Sequence, residues 1–347
     1  MLKRVRQLVC LGFTILAAGT PASAATLSEA ASLYEQAQQE NKAVSEAAMR
    51  GDEATARQHA QKMTELLQQA RQAYDTAGAA AAGDPDVLDS YARLLIEMGD
   101  YDLAEQARLR AAALEPENAQ RWFALGETQG LLDAQGANRA VRSLRKALSL
   151  SDDPESNSRI HAALGAIFLQ EGLYALSRES LEAALKEKPD HMGAAITLAS
   201  IDVREGKIGA ASARIDRLGE IPPGSLDLLQ RSMNNALADF DRSRRWMDDT
   251  AANHLAYAKL LVRAGRMQDS PLPLERAAQL DPNDVVTWNL LGSVYRGLDH
   301  VEGARRAFEK SLALNPDQPR TQEALRELGA NAATPPVSPP ETAPATP

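Results

Sequence analysis

The chain has 347 residues, a formal charge of −9, 44% hydrophobic and only 4% aromatic residues, and one cysteine. That length allows a large core, and the acidic balance argues against nucleic acid, whose phosphates demand a basic surface. A lone cysteine excludes a disulfide framework.

The first 24 residues read as an export signal. Lys3, Arg4 and Arg6 form a basic start, Leu8–Gly19 an apolar stretch, and Ala22-Ser23-Ala24 a small-residue cleavage site. About 12 apolar residues are too few to span a hydrocarbon core of roughly 30 Å, so cleavage after Ala24 is expected rather than anchoring. Cleavage removes Cys10 and three positive charges, taking −9 to −12. The expected location is the bacterial periplasm, with stability coming from packing alone.

Residues 25–83 read as a long α-hairpin, with Gly51-Asp52 the break between two helices rich in Ala, Gln and Glu. A periodic array is expected over 84–223. Its successive units begin at 85, 119, 158 and 192, marked by Leu88, Tyr91, Ala92, Ala104 and Pro116, then by Trp122, Leu125, Gly126, Ala140 and Leu144. The third unit shows Leu164, Gly165, Phe168, Leu181, Ala184 and Pro189, and the fourth Leu198, Ala199, Gly206, Ala211 and Pro223. Small residues let paired helices approach, and a closing proline cannot continue the preceding helix. The rhythm fails at Ile221-Pro222-Pro223-Gly224, so 224–250 is expected as an irregular linking helix, amphipathic over Ser225–Trp246, with Arg242, Arg244 and Arg245 near its end. Two more units and a capping helix are expected over 251–330. Pro271 and Pro273 there imply a late second helix with Ser270 as its cap. The Pro-, Ala- and Thr-rich tail 331–347 reads as disordered.

The clearest unit is 285–318, where Trp288, Leu291, Gly292 and Tyr295 precede Ala304, Phe308 and Pro316. This pattern resembles the tetratricopeptide repeat, W-x₂-L-G-x₂-Y…A-x₃-F…P, and the weaker copies recur at close to its period of about 34 residues. The resemblance implies an all-α, right-handed solenoid of about six helix–turn–helix repeats behind the N-terminal hairpin. It also implies that certain first-helix positions line a binding groove. Carried over position by position, these are Arg93, Phe123, Glu127, Arg204, Lys259, Val262, Arg263, Asn289 and Arg296, with apolar neighbours Val203 and Leu255.

No catalytic residues, cofactor site or metal site are expected. His59, His161, His191, His254 and His300 show no H-E-x-x-H spacing, and the glycines mark turns rather than a phosphate loop. The reading is a non-enzymatic adaptor for protein or peptide partners in envelope assembly, secretion or pilus formation. It expects no nucleic acid or small-molecule substrate and reaches the membrane only through partners. A regulatory subunit of an envelope enzyme complex, in cell-wall or exopolysaccharide synthesis, stays open as the alternative.

Overall fold

The computed structural model describes residues 27–132, 134–243 and 247–332. The expected signal segment, the Pro-rich tail beyond 332, and Arg244, Arg245 and Trp246 lie outside the described residues. The regular structure in the described residues is helical throughout. The chain divides into two compact units, Met1–Leu173 and Tyr174–Pro347.

The first unit contains α1 (Leu27–Met49), α2 (Glu53–Thr76), α3 (Pro85–Met98), α4 (Tyr101–Leu114), α5 (Ala119–Gln129), α6 (Ala134–Leu150) and α7 (Pro154–Gln170). Asp52 accepts a hydrogen bond from the Thr55 amide and starts α2, while Asp84, Asn118 and Asp153 accept from first-turn amides of α3, α5 and α7. The long helices α1 and α2 pair along their length through Ala30, Ala37, Leu66, Leu67 and Ala70, all buried. Tyr74 and Tyr91 join this core to α3, their ring centroids 5.6 Å apart. The pairing of α5 with α6 needs Gly126. A Cβ there would lie 2.6 Å from Leu144 Cγ, closer than carbon atoms pack.

The second unit contains α8 (Tyr174–Glu187), α9 (Met192–Arg204), α10 (Ile208–Arg217), α11 (Pro223–Arg242), α12 (Ala251–Arg263), α13 (Pro271–Leu280), α14 (Val285–Gly297), α15 (Val301–Leu314) and α16 (Pro319–Ala332). Buried Asp202 on α9 ties its two flanking helices. It accepts from Arg178 of α8 at 2.7 Å and from Arg214 of α10 at 3.2 Å. Paired at this quality, a buried carboxylate is tolerated; stripped of both arginines it would be an uncompensated charge. The α14–α15 pair repeats the glycine rule, since a Cβ on Gly292 would sit 2.5 Å from the Phe308 ring. An indole tie also recurs in the two units. Trp122 Nε1 donates to the Pro116 carbonyl at 2.8 Å, and Trp288 Nε1 to the Pro282 carbonyl at 2.9 Å. The signature tryptophan thus bonds the carbonyl of the proline that ends the preceding helix pair.

Within the segment expected as an irregular linking helix, Pro223–Arg242 forms a helix of 20 residues, α11. Helices α9, α10, α12 and α11 close a ring, each packed on the next, around one core. Leu229, Met233, Ala236 and Leu237 of α11 are fully buried in it, beside Ile196, Ala199 and Val203 of α9 and Leu260 and Leu261 of α12. Arg204 of α9 meets Asp239 of α11 at 3.0 Å near both C-terminal ends, so these two helices run parallel. Helices α10 and α12 are also parallel: Gly209 lies beside Asn253, and Asp216 beside Lys259. Asn234 Nδ2 donates to the Ala264 carbonyl at 2.8 Å and Tyr257 Oη to Asp241 at 2.6 Å, which makes α11 and α12 antiparallel. One helix has been added to an array of pairs. First helix α12 therefore lies alongside second helix α10, rather than alongside first helix α9.

Ser270 precedes α13, but its hydroxyl donates back to the Met267 carbonyl at 2.7 Å and caps nothing. A 3₁₀ turn over Met267–Asp269 leads into the helix, and Pro271 in its first turn needs no N–H partner there.

Raised phenols give the fold an alkaline limit, among them Tyr91, which is buried, and Tyr295, which is half-buried. Burial, then a hydrogen bond to Asp75 at 2.5 Å, pushes Tyr91 up to about 12. Burial, then a bond to Glu275, does the same for Tyr295. Both folded values lie above the unfolded value near 10, so the unfolded chain loses these protons first. Stability should be level below pH 10 and fall as pH rises toward 12. Thermal melts across that window should show it, and Tyr91→Phe should flatten part of the slope.

Candidate partner-binding site

Each unit holds its own share of the residues singled out from the sequence. In the first unit, Phe123 is buried, and the Arg159 guanidinium covers its ring at 4.9 Å. The two help line a notch of about 240 Å³ with Asn118, Gln120, Ser156 and Ile160, between the first turns of α5 and α7. Glu127 is exposed by area, yet its carboxyl is crowded enough that desolvation pushes it above the usual carboxylate range, against Arg108 and Arg159. Arg93 is exposed, with bonds to the Asp89 carbonyl and Ser90 in its own helix. Glu97, one turn beyond Arg93, accepts from Tyr34 at 2.7 Å and from Gln38 at 2.6 Å, so α1 covers this end of α3. Burial and that bond push the Tyr34 phenol up.

Asp89, one turn before Arg93 on α3, is buried. It pairs with Arg121, which further holds Asp86 at 2.7 Å and Glu115 at 2.7 Å. Despite the cost of burial, those three carboxylates hold the Arg121 guanidinium above its ordinary value. Asp89 and Arg121 therefore join neighbouring first helices rather than wait for a ligand.

In the second unit, Val203 is fully buried and Ser200 nearly so, both on the ring side of α9, and Arg204 is held by Asp239. The chain's own α11 covers this stretch of expected groove. Sequence reasoning missed it, although a signal was present. Met192–Arg204 is apolar on all sides, with every residue from Ala194 to Val203 except Thr197 buried, as befits a helix packed on both faces.

Of the remaining residues, Lys259, Val262, Arg263 and Asn289 meet at an open cleft of about 420 Å³ across α12 and α14. Lys259, Val262, Arg263, Val286, Asn289, Leu290 and Ser293 line it, with Asp216 of α10 at its edge. Lys259 donates to Asp216 at 3.1 Å. Asn289 faces the cleft with its amide already engaged. Nδ2 donates to Gln318 at 2.5 Å, and Oδ1 accepts from Thr321 at 3.0 Å, both at the start of α16. Arg296 meets Glu327 of α16 at 3.3 Å, an exposed pair that contributes little. Arg263 is exposed and has no ion pair among the described residues. Leu255 packs beneath, against Leu291 and Val294. The cleft thus offers one open guanidinium and one half-engaged ammonium beside apolar Val262, Val286 and Leu290. Among the described residues, no group of three His, Cys, Asp or Glu side chains could hold a metal, and no helix is long and apolar enough to cross a membrane.

The tetratricopeptide repeat model matches residues 285–318, and a second model of that repeat matches 158–191. These two segments of the chain are tetratricopeptide repeats. No curated protein is similar enough to count as a relative. Among solved structures, the Cut9–Hcn1 hetero-tetramer of the APC/C is similar at 13% identity and TM-score 0.39, over 87% of this chain and 48% of that one, so this chain spans about half its length. The C-terminal part of a repeat protein from Cytophaga hutchinsonii is similar at 14% identity and TM-score 0.43, over 75% and 94%. PilW, a type IV pilus biogenesis factor, is similar at 17% identity and TM-score 0.35, over 70% and 98%.

Asn289 distinguishes scaffold from ligand contact. Asn289→Ala removes the acceptor of the buried Thr321 hydroxyl and one of the bonds of Gln318, which keeps Ser311 and Asn315, at a cost of about 1–3 kcal/mol. Hydrogen exchange in α16 should rise while α9–α12 keep their protection.

Proposed function

We propose that the protein is a non-catalytic adaptor that captures partner polypeptides in the α12–α14 cleft. The observation that carries this is the cleft's composition: apolar Val262, Val286 and Leu290 beside Arg263 and Lys259, all on the first helices of two successive repeats. Burial of the apolar residues supplies affinity, and the cations supply orientation and on-rate. A segment with an acidic residue next to apolar ones fits that lining. Arg263 leads the recognition because Asp216 already holds Lys259.

Charge reversal at Arg263 should therefore weaken partner capture more than reversal at Lys259. About tenfold is expected for Arg263→Glu, with a flatter salt dependence, while the melting temperature stays unchanged. Reversal of Arg305 and Arg306 on α15 is the control. Equal losses at both places would remove the cleft from the account.

The setting proposed for this adaptor is the bacterial envelope, in assembly, secretion or pilus formation. The support is the basic start, apolar stretch and Ala22-Ser23-Ala24 site of the first 24 residues. Intact-mass measurement of the exported protein should give a chain starting at Ala25; a mass retaining residues 1–24 contradicts this.

A further inference from the structure

Helix α6 is basic on one face and carries no acid of its own. Ala134–Leu150 carries Arg139, Arg142, Arg145 and Lys146 and not one Asp or Glu, in a chain of net charge −9. Arg139 is accounted for, since it binds Glu105 of α4 at 2.8 and 3.1 Å. Arg142 and Arg145 are exposed and Lys146 half-buried, and none of the three has an ion pair among the described residues. On other second helices Arg178 meets Glu182, Asp202 and Glu205, and Arg276 meets Asp249.

The spacing of Arg142, Arg145 and Lys146 is i, i+3, i+4, so all three share one face. The Glu105–Arg139 bridge sets α4 beside α6, and α4 adds exposed Gln106, Leu109 and Arg110. Leu103 and Leu109 are 40% and 46% exposed. Glu105 of α4 is buried and already engaged by Arg139 and Gln129.

We propose that the α4–α6 face is a second docking surface, separate from the α12–α14 cleft, and that it takes an acidic amphipathic helix of a partner protein. Guanidinium forks match carboxylates in planar, bidentate geometry, and two of the three cations are arginines. A helix with acids at i, i+3 or i+4 presents carboxylates at the spacing α6 presents cations, and its apolar flank covers Leu109. An anionic lipid surface fits less well. Three cations provide too little attraction to hold a chain of net charge −9 against an anionic leaflet.

The test uses the full chain and a fluorescein-labelled synthetic amphipathic peptide of about 20 residues, leucine on one face and glutamate at i, i+3 and i+4 on the other. Anisotropy titration should show binding that weakens from low to high salt. R142E/R145E/K146E should weaken it by about tenfold or more, with R142Q/R145Q/K146Q intermediate. The melting curve should be unchanged, and Arg263→Glu should have no effect. Absent binding, or equal binding by the triple variants, overturns the proposal. Capture by phosphatidylglycerol vesicles in preference to the peptide overturns the choice of partner. A failure of the α12–α14 cleft would show instead in the Arg263 variant alone.

Discussion

The second unit depends on the packing of α11 against α9. An array of helix pairs keeps first helices in one row and second helices in the other, because each pair repeats the last. One extra helix breaks that alternation. With α11 lying parallel to α9, the partner of α11 in the ring is α12, and α12 is forced into the row of α10. The first helices α12 and α14 therefore continue the row of a second helix. Burial of Leu229, Met233 and Leu237, each worth about 2–5 kcal/mol on truncation to alanine, holds this arrangement.

Function follows from that displacement. Without α11, groove positions from α9 through α14 would line one wall, and Val203, Arg204, Lys259 and Arg263 would act together. With it, Val203 and Arg204 are consumed in packing and in the pair with Asp239, while Lys259 finds Asp216 of a second helix. What stays open is a short cleft with one unengaged guanidinium. On the proposed function, a short cleft would select a short segment, so specificity there would rest on few contacts, and a second surface on α4–α6 would supplement it.

Much of the fold was legible in the sequence because its cause is local. Gly126 and Gly292 are read correctly as close-approach positions, since Leu144 and Phe308 occupy the space a Cβ would need. Trp122 and Trp288 mark repeat starts, and both indoles bond a closing proline carbonyl. Register position alone said little about which groove residues are available. Asn289 stands at a groove position, yet its amide is spent on Gln318 and Thr321, a partner set fixed about 30 residues later in the chain. Leu229, Met233 and Leu237 are spaced as one amphipathic stripe, which shows that α11 is half-buried but not what buries it. The apolar character of α9 on all sides was the available clue that both its faces are covered.

The most direct test of the displaced row is a cross-link between α10 and α12. Gly209 and Asn253 face each other across these parallel helices, with a Cβ at 209 falling 3.7 Å from Asn253 Oδ1. In a Cys10→Ser background, G209C/N253C should form an intramolecular disulfide on mild oxidation, with the helical content unchanged. If that pair stays reduced in a folded chain while cysteines placed across α9 and α12 join instead, first helix stands beside first helix and the account of α11 is contradicted.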